Sequence, residues 1–286
     1  MIVFAPGGKP ISYGTRRFPQ DLAAYLSEFG LNGFEIECGR GLNISENIYR
    51  YLPSLAKLNK IALSLHAPYF ISISSKDEEV RRKSIGYITS SARIAKKLGA
   101  DRIVIHSGSC TGTTRQESLS FAKDTLIKAR VALIENNLQD ISICPETMGK
   151  INQLGTLEEV IELCKTDESF IPCIDFGHLN ARTQGGIKSK SDYEDIFNAL
   201  ETGLGFKRTK NLHIHFSKIM YTAGGEKKHL TFEDTEYGPD FEPMIEVIAQ
   251  RGLKPFIVCE SAGTQAEDAC AMRKYYEDFR NENLCD

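Results

Sequence analysis

Eight short β-rich segments, separated by longer stretches of helical period, leave this 286-residue chain little choice of fold. The strands read as IVFA (2–5), GFEIEC (33–38), IALSLHAP (61–68), RIVIHSG (102–108), ISICPET (141–147), FIPCIDFG (170–177), NLHIHFS (211–217) and PFIVCES (255–261). Between them, stretches such as QDLAAYLSEFG, QESLSFAKDTLIKARVALIENN and FEPMIEVIAQRG space their apolar residues as a helix does. Several finish in Gly, a C-cap signal, and Thr156 with Glu159 has the pattern of a capping box. Eight strand–helix alternations are what a closed (β/α)8 TIM barrel requires, and the length suits one domain spanning 1–286. A doubly wound open sheet would more often carry a phosphate loop after its first strand, but APGGKPISYG lacks the G-x-G-x-x-G spacing.

The chain shows no secretory leader and no continuous apolar span of about 20 residues, so the expectation is a cytoplasmic protein with no membrane partner. Its eight cysteines, at 38, 110, 144, 164, 173, 259, 270 and 285, include no C-x-x-C pair and read as buried thiols rather than a disulfide framework or a thiolate zinc site. A net charge of −3 neither calls for nor excludes a nucleic-acid partner, and nothing in the chain demands more than a monomer. Segments 179–190 and 218–238, polar and Gly-containing, read as long loops that cover or grip a substrate beside the active face.

All the histidines fall near strand ends. His66 ends the third strand, His106 the fourth, and His178 follows the sixth; His213 and His215 lie in the seventh and His229 in the loop after it. Glu146, Asp175 and Glu260 end the fifth, sixth and eighth strands. A barrel brings the carboxyl ends of its strands to one mouth, so these scattered residues become neighbours. Imidazoles and carboxylates without thiolates suit Zn²⁺ first, with Mn²⁺ or Fe²⁺ as substitutes. Any one of these histidines alone would more often be a hydrogen-bonded or capping residue; the joint pattern points to metal. The two-residue spacing sends His213 and His215 to the same side, and Glu35 and Glu37 likewise, with a salt bridge expected for at least one of that second pair.

With those residues in place, SLHAPYFIS (64–72), IVIHSGS (103–109), ICPETMG (143–149), CIDFGHLNA (173–181), LHIHFSK (212–218) and CES (259–261) together resemble the endonuclease IV family of DNA repair enzymes, within the xylose-isomerase-like barrels. The resemblance implies an enzyme with two or three ions that cuts double-stranded DNA 5′ to an abasic site. It makes His66, His106 and Glu146 ligands of one zinc, shares Glu146 with a second held by Asp175, His213 and Glu260, and gives His178 and His229 to a third. Glu146 and Glu260 would orient the attacking water. Tyr69 and Phe70 match a pair pushed into the DNA minor groove, and Arg40 lies near an arginine that enters the base stack.

Three departures from the family stand out. The family's H-L-N-D stretch is matched to HIHF, its amino-terminal H-V-S is replaced by FAPGG, and Lys227 stands where the third ion has an aspartate. Lys227 is expected to weaken that site unless Glu226 replaces the lost ligand. Two other functions fit the same residues. One is a single-metal sugar isomerase or epimerase using Glu146, Asp175, His213 and Glu260; the other is a non-catalytic nucleic-acid- or metal-binding barrel.

Overall fold

A computed structural model describes residues 1–283, so Cys285 lies outside the described residues. The chain runs β1 (Val3–Pro6), α1 (Leu22–Glu28), β2 (Gly33–Glu37), α2 (Glu46–Leu58), β3 (Ala62–His66), α3 (Glu78–Leu98), β4 (Arg102–His106), α4 (Arg115–Glu135) and β5 (Ser142–Glu146). It continues through α5 (Leu157–Cys164), β6 (Cys173–Asp175), α6 (Phe176–Arg182), α7 (Lys190–Leu204), α8 (Phe206–Lys210) and β7 (His213–Phe216). A hairpin of β8 (Ile219–Thr222) and β9 (Gly225–His229) follows, then α9 (Glu242–Gln250), β10 (Phe256–Cys259) and α10 (Gln265–Asn283).

One eight-stranded sheet forms in the order β1-β10-β7-β6-β5-β4-β3-β2. Its two outer strands meet where Gly7 bridges Glu35 and the Gly8 amide donates to the Glu35 carbonyl at 3.0 Å. The result is the expected (β/α)8 barrel, with β8 and β9 as an antiparallel addition.

Period-two alternation divides each strand between two environments. Phe4, Ile36, Leu65, Ile103, Ile143 and Ile214 belong to the large core packed between sheet and helices. Burial of each such side chain contributes about 1.5–3 kcal/mol. The intervening positions face the barrel axis, where Ala5, Phe256 and Val258 form one small apolar cluster and Val104, Cys144 and Cys173 another. At the carboxyl ends the same inward positions are filled by histidines and carboxylates.

Two expectations need correcting. The sixth strand does not run to Gly177: Asp175 Oδ1 accepts from the His178 amide at 2.7 Å, an N-cap that turns Phe176–Arg182 into a helix. Segment 179–190 therefore begins as helix, up to Arg182, and Leu179, Asn180 and Ala181 are buried. Gly177 is required because a Cβ there would sit 2.5 Å from the Ser217 carbonyl oxygen. Segment 218–238 begins with the hairpin rather than being loop throughout. The Thr156–Glu159 capping box is present, and the seven described cysteines are unpaired. Among the described residues no helix is long and apolar enough to cross a membrane.

Candidate metal centre

Four imidazoles surround the buried carboxylate of Glu146. His66 Nε2 lies 3.4 Å and His106 Nε2 3.6 Å from its Oε2; His178 Nδ1 lies 3.4 Å and His215 Nδ1 3.2 Å from its Oε1. Each comes from a different strand end or the helix cap just described, so only barrel closure assembles them. Glu260 Oε1 is also 3.2 Å from His215 Nδ1, and Asp175 joins Glu146, His215 and Glu260 in one group. The three-residue step in DFGH is a helix cap. Asp175 spends one oxygen on the His178 backbone, and the His178 ring turns back into the mouth.

Backbone carbonyls set the ring orientations. His66 Nδ1 is 2.9 Å from the Ala67 oxygen and His178 Nδ1 is 2.9 Å from the Thr147 oxygen, so each donates there and leaves Nε2 facing the mouth. Protons and charge are unevenly divided among these groups. Burial alone would raise the Glu146 pKa, but the His178 and His215 imidazoles beside it hold it well below the usual range. Burial also works against the His66 cation, yet the hydrogen bond to Glu146 and nearby carboxylates push it up to about 10. Burial pushes His106 down to about 3 and His213 down to about 4. Glu260 is pushed up to about 8 by burial and by Asp175, Glu146 and Glu37. Without ions, protonated imidazoles neutralise the carboxylates in the way divalent cations would.

The hairpin completes a further group. Glu226 Oε2 is 3.4 Å from His178 Nε2, and His178, Glu226 and His229 converge. His229 Nδ1 is bonded to Ser217 Oγ at 2.8 Å. Lys227 is exposed, since neighbours on a strand point to opposite faces. The expected repulsion by Lys227 therefore has no structural basis, and Glu226 stands in the place expected of the missing acid.

Residue His213 is not where HIHF would put it. It lies with Glu35 below the mouth, completely buried, while His215 reaches Glu146, Asp175 and Glu260. Two residues along a strand span about 6.6 Å, enough to move a side chain down one layer. At the mouth it is His215, two residues further along β7, that meets the carboxylates expected around His213. Both sets share an inward face, so periodicity alone did not distinguish them. The sequence reading also left Glu35 without a partner; it pairs with these two histidines.

A cavity of about 860 Å³ opens over the centre, with Arg40, Tyr69, Lys150 and Gln265 among its lining residues. Tyr69 is 53% exposed, its ring stacked on His106 and its hydroxyl 3.4 Å from exposed Glu37. Phe70, 52% exposed, meets Tyr87 edge-on.

The donor set fits metal ions. Asp175 Oδ2 is buried with no hydrogen-bond partner among the described residues although His178 Nδ1 is only 3.2 Å away, because that nitrogen is committed to Thr147. An orphaned carboxylate oxygen among imidazole nitrogens and further carboxylates is a ligand set for Zn²⁺, Mn²⁺ or Fe²⁺.

The family model for the xylose isomerase-like TIM barrel matches residues 23–276. An uncharacterised protein of Methanocaldococcus jannaschii is 27% identical over 97% of this chain and 98% of its own. Probable endonuclease 4 of Mycoplasma genitalium is 29% identical over 78% of this chain and 75% of its own. The crystal structure of a D-tagatose 3-epimerase-like protein, 20% identical, covers 99% of this chain and 100% of that one with a TM-score of 0.71, a likeness of fold.

Proposed function

This chain belongs to the xylose isomerase-like TIM barrel family and, within it, to the endonuclease IV family, and from that premise we propose that it is a metal-dependent phosphodiester hydrolase cutting duplex DNA 5′ to abasic sites. The observation that carries the proposal is the number of ligand groups meeting at Glu146: His66 and His106 on one side, Asp175, His215 and Glu260 on another, and His178, Glu226 and His229 beyond. A single-ion site needs only one of these. Divalent ions bound there supply a water of lowered pKa and neutralise charge on phosphoryl oxygens.

The chain's own residues perform the remaining tasks. Glu260, with one oxygen towards His215 and the other 4.0 Å from His229, would orient water and take up its proton. Glu146 stays ionised and shared between ligand groups. Exposed Tyr69 and Arg40 at the cavity, with exposed Phe70 next to Tyr69, would be the side chains that enter DNA. An abasic nucleotide has no base to unstack, so moving it into the cavity is inexpensive.

A second reading rests on the group of Glu146, Asp175, His215 and Glu260, which by itself suffices for one ion and proton transfer beside a ketose. One assay separates the two. Duplex DNA carrying a single abasic analogue, incubated with protein loaded with Zn²⁺ or Mn²⁺, should be incised once on the 5′ side to leave a 3′-hydroxyl. Intact DNA, with one ion per chain and turnover of a ketohexose, would establish the epimerase instead.

A further inference from the structure

Beneath the mouth sits a completely buried carboxylate, Glu35, to which the proposed chemistry assigns nothing. A buried charge is costly unless it is paired. Its Oε2 accepts from Ser64 Oγ at 2.7 Å and lies 3.0 Å from His213 Nε2. Its Oε1 lies 3.0 Å from His215 Nε2 as an ion-pair contact and has no hydrogen-bond partner among the described residues, while His215 Nε2 also lies 3.1 Å from His213 Nε2. Strand register accounts for the arrangement. Glu35 is opposite Ser64 on β3, and it lies two residues below Glu37 on the inward face.

The ring of His215 therefore spans two layers. Its Nε2 meets Glu35 below; its Nδ1 lies 3.2 Å from both Glu146 Oε1 and Glu260 Oε1 above. A neutral imidazole carries one proton, and a carboxylate beside Nε2 can only accept it. The lone pair is then left on Nδ1, facing the ligand group.

We propose that Glu35 is a positioning residue for the metal centre, holding the proton of His215 on Nε2 and aiming its Nδ1 lone pair at the group formed with Glu146, Asp175 and Glu260. Carboxylates behind ligating histidines fix ring orientation and raise ligand basicity, and losing one typically weakens metal affinity by about 10–100-fold. The inference rests on the mouth being an ion site and is indifferent to whether DNA or sugar is the substrate. It differs from a purely structural role, in which Glu35 would only tie β2, β3 and β7 together.

The test is ion affinity of the full chain, measured by competition with a chromophoric chelator for Zn²⁺. Glu35→Gln keeps the shape of the side chain and removes its charge, and it should weaken the tightest ion by about 10–100-fold. The visible bands of the Co²⁺-loaded protein should shift with it. In a His215→Asn background the same substitution should add no further loss, because the effect runs through that ring. Should Glu35→Gln fail to fold, Ser64→Ala frees Oε2 while keeping the charge and should weaken the ion several-fold. Unchanged affinity in the folded variant, with only a lower melting temperature, would overturn the proposal, as would a further loss in the His215→Asn background. If the unmodified protein binds no ion at all, the reading of the mouth as a metal centre fails, and the role of Glu35 with it.

Discussion

Replacing Gly225 by Ala perturbs the His178–Glu226–His229 group without touching any of its three side chains. Gly225 has φ 91°, and a Cβ on it would lie 2.1 Å from the Gly149 carbonyl oxygen. That is roughly 1 Å nearer than close-packed atoms tolerate. The hairpin is tied to the loop after β5 at this point, Ile151 N donating to Gly224 O at 3.1 Å and Glu226 N to Gly149 O at 3.2 Å. Relief requires the hairpin to lift, and Glu226 lifts with it. Metal–ligand distances hold within about 0.2 Å, so a retreat of about 1 Å takes the carboxylate out of reach. The left-handed backbone adds about 1–2 kcal/mol of strain, which at about 2–4 °C per kcal/mol lowers the melting temperature by only several degrees. Zinc titration with elemental analysis should therefore count one ion fewer per folded chain than in the unmodified protein. An unchanged ion count and affinity would show that the hairpin does not position Glu226, and would refute the reasoning.

Four further outcomes are expected. His215→Asn should remove an ion, whereas His213→Asn should keep the ion count and lower unfolding free energy by about 1–3 kcal/mol by taking a neutral imidazole from beside buried Glu35; equal ion loss in both would restore His213 to the mouth. Without ions, His66 titrates near 10 and Glu260 near 8, so both hold protons at neutral pH that ligation must displace. Ion binding should therefore release protons and strengthen as pH rises towards 8, seen by calorimetry as a heat that varies with buffer ionisation enthalpy; a buffer-independent heat would contradict this. Tyr69→Ala with Phe70→Ala should weaken duplex binding by about 1–3 kcal/mol per lost stacking contact with ion content intact, while Lys227→Asp should leave the ion count unchanged, in keeping with its exposed position.

The (β/α)8 fold and the gathering of His66, His106, Glu146, Asp175 and Glu260 at one mouth were both legible in the sequence, because period-two alternation decides which residues face inward and parallel strands put their carboxyl ends on one side. The cap that ties Asp175 to His178 was not legible, because the apolar run reads as strand to Gly177 and only the structure starts a helix at Phe176. What the chain's own order did not determine was depth along the barrel axis. His213 and His215 share a face and a residue type, and only the register of β7 against β6 and β10 sets Asp175 beside His215 and leaves His213 to Glu35. Nor did it determine which of Glu226 and Lys227 faces His178, because a hairpin's inward set depends on where its turn and bulge fall and on its docking to the loop after β5. Local pattern specifies the face of a side chain. Its height above the barrel floor and its partner across the mouth come from pairing between residues far apart in sequence, which exists only once the barrel has closed.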